Sequence, residues 1–173
     1  MNDVDKKIFL IFPNQLFNLN QVSIDCKNIA LIEDNLFFGC DSEWPLKFHC
    51  QKIIFHKASM DAYREYLIKK GLKVIYIKHC RDCRTEKYLT TLSEKGFNHF
   101  KLFEIFDWSL QKRLNDFCCK NNFNLEIKKS EMFLTNKSIE EEFINAKKIF
   151  GMNKFYKKQR QSLDILIEND GSP

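Results

Sequence analysis

The stretch IFLIFPN, Ile8–Asn14, decides the fold of this chain. It consists of consecutive aliphatic and aromatic residues and ends in a Pro-Asn turn. Such a short apolar run before turn residues is typical of a strand buried on both faces of a parallel sheet. Four further runs of this kind follow along the chain, the last of them weaker: Asn28–Ile32, Lys73–Ile77, Phe100–Phe103 and Leu125–Lys128.

Helix patterns separate these runs. Between the second and the third, side chains recur at steps of three and four residues before Gly71, which has the position of a C-terminal cap: Ile53, His56, Met60, Tyr63 and Leu67. Thr85–Lys95 and Ser109–Lys120 are predicted as further helices, and Ser138 and Glu141 have the spacing of a capping box. The alternation predicts an α/β fold, a Rossmann-like, doubly wound five-stranded parallel sheet with a C-terminal helical extension.

Charge is concentrated in one segment. The 173 residues carry a formal charge of +5, and Lys147–Arg160 contains six basic residues and no acidic one. The rest of the chain is therefore close to neutral, which argues against a protein that wraps nucleic acid with its whole surface. We expect at most weak, salt-sensitive nucleic-acid binding through this segment. The alternative is that its basic residues form the solvated face of a helix.

Cysteine usage and hydropathy bear on location. The seven cysteines are odd in number and irregularly spaced, which favours reduced thiols over a disulfide framework. The early apolar run is too short for a signal peptide or a membrane span, and acidic residues precede it. We therefore expect a cytoplasmic protein with no membrane partner.

Polar residues follow the predicted strands, where ligands bind in open parallel sheets. Asn14 and Gln15 follow the first strand, Glu33 and Asp34 follow the second, and a helix begins near His49. His49 and Lys52 are three residues apart and so share one side of that helix. The pattern predicts a polar crevice that includes Asn14, Gln15, Glu33, His49 and Lys52.

Glycine motifs for phosphate binding are absent from the sequence. Among its five glycines there is neither G-x-G-x-x-G nor G-x-x-x-x-G-K-[ST], and the loop after the first strand has no glycine. A pyrophosphate needs close approach to the backbone at that loop, which glycine permits. The sequence therefore argues against a conventional NAD or ATP site.

Five segments, in their order and spacing, closely resemble the photolyase-related branch of the cryptochrome/photolyase family, the bacterial branch associated with an iron–sulfur cluster. The resemblance runs from about Ile8 to Pro173. The segments are IFPNQL (Ile11–Leu16), ALIED (Ala30–Asp34), Phe48–Leu67, MFLTNKSIEEEF (Met132–Phe143) and MNKFYKKQRQSLDIL (Met152–Leu166).

The resemblance implies a division of the chain. Residues 1–130 are expected to form the amino-terminal α/β domain, with Ile8–Phe12 at the centre of its sheet, and residues 131–173 a helical linker. Family members continue into a helical domain that holds FAD, an iron–sulfur cluster and damaged DNA. We expect this chain to lack that domain, its natural partner, to have no catalytic residues, and to repair no DNA alone.

The resemblance also implies a ligand for the α/β domain. In the branch it resembles, this domain holds a flat antenna chromophore of the ribityl-lumazine type for light-driven DNA repair or blue-light sensing. By this resemblance the antenna region comprises Phe12, Pro13, Asn14, Gln15, Glu33, Asp34, His49 and Lys52. We expect the ring to lie between the ends of the first two strands, against Asn14 or Gln15 and Glu33.

Two alternatives remain open. The chain could be a stand-alone module for a nucleotide or a flavin-like ligand, or a thiol or zinc protein that uses Cys80 and Cys83 with His79. Three aromatic residues also have non-functional interpretations. We interpret His56 as a hydrogen-bonded core histidine, and Trp44 and Trp108 as packing residues.

Overall fold

The computed structural model describes residues 6–130, 132–135, 141, 143–145 and 151–168. The chain divides into two compact units, Met1–Ser130 and Glu131–Pro173. The first unit contains the whole sheet and the helices that cover it.

The sheet has five parallel strands in the order β3-β2-β1-β4-β5. This confirms the predicted α/β fold and the central position of the first strand. The strands are β1 (Lys7–Ile11), β2 (Asn28–Ile32), β3 (Lys73–Ile77), β4 (His99–Phe103) and β5 (Asn124–Lys128).

Helices cover both faces of the sheet, because alternate residues of β1 point into two separate cores. Ile8 and Leu10 share one core with residues of α3 and α4, whereas Phe9 and Ile11 share the other with residues of α2. Gly71 has a φ of +80° just after α2, as its predicted capping role requires. The helices of this unit are α1 (Asn35–Phe38), α2 (Cys50–Lys69), α3 (Thr85–Glu94) and α4 (Trp108–Asn121).

Strand order fixes where a ligand crevice forms. From β1 the chain proceeds to β2 and β3 on one side, and then crosses to β4 and β5 on the other. The order therefore reverses between β1 and β4, and in open α/β sheets ligands bind outside the carboxyl ends of the strands at such a switch point. Leu10 of β1 is in register with Leu102 of β4.

The second unit contains the helix α5 (Met152–Leu163), which starts where the sequence predicts a helix. Within this unit, the Phe155 ring lies edge-on to Phe143 with ring centroids 5.0 Å apart. Met152 and Tyr156 are exposed. Ser138 of the predicted capping box lies outside the described residues. In the part of the chain that the structure describes, no helix is both long and apolar enough to cross a membrane.

Candidate functional site at the carboxyl edge of the sheet

Gln15 joins the ends of β1 and β4 at the switch point. Its Nε2 donates to the carbonyl oxygens of Phe103 at 3.1 Å and Glu104 at 3.2 Å. The other amide atom, Oε1, is buried and has no hydrogen-bond partner among the described residues, and the same holds for Oδ1 of Asn14. Two acceptors are therefore left unsatisfied at this edge. Buried polar atoms in proteins are normally hydrogen-bonded.

Glu33, the residue after β2, carries a fully buried carboxylate in a polar cluster. One oxygen accepts from Lys57 Nζ at 2.6 Å and from the Tyr76 hydroxyl. The other lies 2.7 Å from Nδ1 of His79 and 3.2 Å from the backbone nitrogen of the same residue. We call Glu33, Lys57, Tyr76 and His79 the Glu33 cluster. It joins the ends of β2 and β3 to α2.

The charges of the Glu33 cluster are fixed by its geometry. Burial works to raise the pKa of Glu33, but the hydrogen bonds from Lys57, Tyr76 and His79 outweigh it and hold that pKa below its usual range. Burial would lower the pKa of Lys57, yet its contacts with Glu33 and Tyr76 raise it. Burial and the neighbouring carboxylate raise the pKa of Tyr76. At neutral pH the cluster therefore contains a carboxylate, an ammonium and a protonated phenol.

Aromatic rings extend the cluster towards α1 and α2. The Phe38 ring stacks on the His79 imidazole with centroids 4.6 Å apart and an interplanar angle of 13°. The Phe38 ring also contacts the His56 ring, with ring centroids 6.0 Å apart. Both nitrogens of His56 are buried and without a hydrogen-bond partner in the described residues, so the expectation of a hydrogen-bonded core histidine is wrong. Burial, together with the charge on Lys52, lowers the pKa of His56.

Asp34 caps the short helix α1. One carboxylate oxygen accepts from the backbone nitrogen of Leu36 at 3.0 Å, and the other is buried without a partner among the described residues. Burial raises the pKa of Asp34 to about 6, although the Leu36 hydrogen bond works in the opposite direction. Asp34 is fully buried, so it acts as a structural cap at this edge.

His49 and Lys52 lie at the exposed start of α2. His49 is the N-cap of this helix, and its Nδ1 accepts from the backbone nitrogen of Gln51 at 3.2 Å. The Lys52 ammonium lies 3.5 Å from the centre of the Phe48 ring. His49 therefore has a structural role in the helix start, and Lys52 covers an aromatic ring.

The predicted site residues fall into separate groups. Phe12 belongs to the fully buried core, and Pro13 begins the turn that leads to Asn14 and Gln15. Gln15 contacts β4, whereas the Glu33 carboxylate contacts α2 and β3. The Glu33 side chain thus has its hydrogen-bond partners on the side of β2 away from the switch point.

Sequence reasoning did not connect Lys57, Tyr76 or His79 with Glu33, and it considered His79 only beside Cys80 and Cys83. For Tyr76 and His79 the available signal is the register between β2 and β3. Leu31 of β2 pairs with Tyr76 of β3, and the Glu33 backbone nitrogen donates to the Ile77 carbonyl at 2.9 Å. Polar residues at the matching end of the neighbouring strand were therefore the place to look for a partner of a buried carboxylate.

Both tryptophans are exposed, so the interpretation as packing residues is wrong: Trp44 is 54% and Trp108 68% exposed. They line a cavity of about 450 Å³ beside the start of α4. The Lys112 ammonium lies 5.1 Å from the Trp108 ring. The remaining lining residues are Glu43, Arg84, Ser109, Arg113 and Asp116.

One pair of cysteines departs from the expectation of reduced thiols. Cys80 and Cys83 form a disulfide, while the other five cysteines are free as predicted. The zinc site considered above would use Cys80 and Cys83 as thiolate ligands, and these two sulfurs are bonded to each other. No group of three or more His, Cys, Asp or Glu in the described residues could hold a metal ion. The zinc alternative therefore does not fit this structure.

Comparisons with known proteins give one family and one relative. The family profile for deoxyribodipyrimidine photo-lyase-related protein matches residues 9–173. Uncharacterized protein R852 of Acanthamoeba polyphaga mimivirus is 30% identical over 175 residues, which cover 95% of this chain and 87% of that protein. The similarity thus includes the α/β unit and the second unit together.

Proposed function

The chain belongs to the deoxyribodipyrimidine photo-lyase-related protein family, and on that premise we propose that its α/β unit holds an antenna chromophore of the ribityl-lumazine type. The site is the carboxyl edge of the sheet. In this proposal the unit serves a protein of light-driven DNA repair or blue-light sensing. In the photolyase-related proteins that this chain resembles, FAD, an iron–sulfur cluster and damaged DNA bind to a separate helical domain, and in this proposal such a domain is the partner of the α/β unit.

The observation that carries the proposal is the pair of unsatisfied oxygens on Asn14 and Gln15 at the switch point. A lumazine ring has an imide N–H, and its ribityl chain has hydroxyl groups, so the ligand supplies the donors that these oxygens lack. The residues present therefore fit such a ligand. When bound, the chromophore absorbs blue light and passes the excitation energy to the flavin.

Glu33 has a positioning role in this proposal, because its carboxylate is fully buried and already hydrogen-bonded. It holds the Lys57 ammonium and the His79 imidazole on the α2 side of the sheet edge, where Phe38 stacks on His79. The half-exposed faces of Lys57 and His79 are then available to the ligand. His49 and Lys52 form the exposed rim at the start of α2.

The experiment is a fluorescence titration of the chain with ribityl-lumazine. We expect saturable binding, and an affinity at least tenfold weaker in Glu33→Ala, about 1.4 kcal/mol, because Lys57 and His79 lose their anchor. Glu65→Ala removes an exposed carboxylate elsewhere on α2 and is the matched control. Circular dichroism verifies that each variant folds.

Two outcomes contradict the proposal in different ways. Unchanged affinity in Glu33→Ala would remove the Glu33 cluster from the site. Absence of saturable lumazine binding by the unmutated chain, with binding of a flavin mononucleotide or a nucleotide instead, would favour a stand-alone nucleotide or flavin-like-ligand module.

A further inference from the structure

Cys80 and Cys83 occupy the connection between β3 and α3. They are joined by a disulfide with Cα atoms 5.6 Å apart, and both residues are partly exposed. Of the residues between them, Asp82 has a φ of +57°, a left-handed conformation that a short polar side chain tolerates. A Cys-x-x-Cys segment therefore closes a tight loop directly before a helix.

The pair lies next to a helix start and among charged side chains. The N-cap of α3 is Arg84, which makes no side-chain capping hydrogen bond, so Cys83 lies one residue before a helix start that has no side-chain cap. Lys78, Arg81 and Arg84 bring three cationic side chains into this short segment, which also contains Asp82, and Arg84 is paired with Glu43 and Glu86. Positive charge and a helix N-terminus stabilise a thiolate, the reactive form of cysteine.

Three other cysteines of the chain are shielded thiols. Burial raises the pKa of Cys26, of Cys40 and of Cys118, the last to about 11. These three residues are therefore protonated thiols at neutral pH and poor nucleophiles. The Cys80–Cys83 pair differs from these three residues because its sulfurs already form a disulfide.

The backbone of the loop is held without help from the disulfide. The Asn35 side-chain amide donates to the carbonyl oxygens of Cys80 at 2.6 Å and Cys83 at 2.7 Å. Its Oδ1 accepts from the Tyr88 hydroxyl at 2.7 Å, and that hydroxyl accepts from the Cys80 backbone nitrogen at 3.3 Å. Asn35 is fully buried. Because these bonds do not involve sulfur, the two thiols of a reduced loop stay close enough to form the bond again.

We propose that Cys80 and Cys83 are a redox-active site that exchanges electrons with small disulfides and thiols of the glutathione type. In the oxidising direction, one thiolate attacks the small disulfide, the S–S bond of that disulfide breaks, and one small thiolate leaves. The second cysteine then attacks the mixed disulfide and displaces the second small thiolate. Two cysteine thiols are oxidised to one disulfide, one small disulfide is reduced to two thiols, and the two protons pass to the leaving thiolates.

The test equilibrates the full chain in a series of glutathione and glutathione disulfide mixtures, followed by acid quenching, alkylation under denaturing conditions and mass spectrometry. Cys50 and Cys119 are exposed, so the chain carries Cys50→Ser and Cys119→Ser to remove their mixed disulfides. We expect the number of alkylated cysteines to rise by two as the mixtures become more reducing, with Cys80 and Cys83 as the residues that change.

Single variants test the second step. In Cys80→Ser or Cys83→Ser, the remaining cysteine cannot be displaced by its partner, so we expect a persistent glutathione adduct on it. Cys118→Ser, which removes a buried thiol, is the control and should titrate like the parent chain. A pair that keeps one state across the whole series, or single variants that form no adduct, would overturn the proposal.

Discussion

At the scale of single residues, Asp34 makes the stability of the fold depend on pH. Burial raises its pKa from 3.8 to about 6 in the folded chain. Between these values the folded state binds more protons than the unfolded state, so stability falls as pH rises and the loss is complete above about pH 6. Each pKa unit corresponds to about 1.4 kcal/mol, so the ionised carboxylate costs on the order of 3 kcal/mol.

Asp34→Asn should therefore stabilise the protein at high pH. Asparagine keeps the N-cap hydrogen bond and removes the buried charge. We expect the free energy of unfolding to rise by about 2 to 3 kcal/mol at pH 8 and to change little near pH 4, as measured by urea denaturation at both values. Asp107→Asn changes the partly exposed N-cap of α4 and should not reproduce the gain. An equal gain in both variants would show that the cap, not the burial, is responsible.

A second residue-scale prediction concerns the buried ion pair of Arg113 and Asp41. The guanidinium lies 2.6 and 2.9 Å from the two carboxylate oxygens, and both side chains are almost fully buried. Arg113→Met leaves Asp41 buried without its counter-charge, and we expect a loss of about 3 to 5 kcal/mol in the free energy of unfolding.

Arg84→Met is the matched control for this pair. Arg84 also contacts two carboxylates, those of Glu43 and Glu86, but its side chain is 42% exposed. Exposed ion pairs contribute at most about 1 kcal/mol, so the control should lose no more than that. Chemical denaturation curves that shift equally for the two variants would refute the assignment of Arg113 and Asp41 as a buried pair.

At the scale of elements, the end of α1 depends on glycine at position 39. Gly39 has a φ of +77°, and a Cβ added there would lie 2.2 Å from the Leu46 carbonyl oxygen. Gly39→Ala should therefore lose about 3 kcal/mol, from left-handed strain and from displacement of the Leu46 backbone. Gly71→Ala has a similar φ of +80° but nothing within 4 Å, so it should lose only about 1 to 2 kcal/mol. Thermal unfolding of both variants measures the difference, and equal losses would contradict it.

Most element boundaries were predictable from the sequence because the local signals agree. The runs Asn28–Ile32 and Lys73–Ile77 have the observed bounds of β2 and β3. The periodic pattern also identified Met60, Tyr63 and Leu67 as the buried residues of α2. Apolar runs and their turn residues are contained in the segment itself, so a single sequence suffices for them.

The Glu33 cluster was not predictable in this way. Glu33 lies 24 residues from Lys57 and 46 from His79, and nothing in the local pattern joins them. Their contact depends on the pairing of β2 with β3 and on the packing of α2 against that face. A buried carboxylate predicts that partners exist, but the identity of the partners is a property of the tertiary structure.

At the scale of the whole molecule, strand order decides the site. Alternation of strands and helices predicted a parallel sheet, but the same pattern is compatible with more than one order. The observed order has its switch point between β1 and β4, where Gln15 contacts Phe103 and Glu104, whereas the sequence-based expectation was the gap between β1 and β2. The proposed chromophore site accordingly extends from the Glu33 cluster across β1 to that switch point.

The opposite end of the sheet offers a second candidate location for a ligand. A cavity of about 540 Å³ lies among residues at the amino ends of β1, β2 and β3. Its lining includes Lys7, Asn28 and Lys73. The switch-point rule favours the carboxyl edge in spite of this cavity, so the location of a bound ligand distinguishes the two ends.

The most direct measurement is a nuclear magnetic resonance titration of the isotope-labelled chain with ribityl-lumazine, read residue by residue. We expect the side-chain amide signals of Asn14 and Gln15 to shift most, because the unsatisfied oxygens of these two residues gain hydrogen-bond donors. Backbone signals near His79 should shift as well. Signals at the amino edge, such as those of Asn28 and Lys73, should stay in place. Shifts confined to that amino edge, or no shift at Asn14 and Gln15 under saturating ligand, would contradict the account.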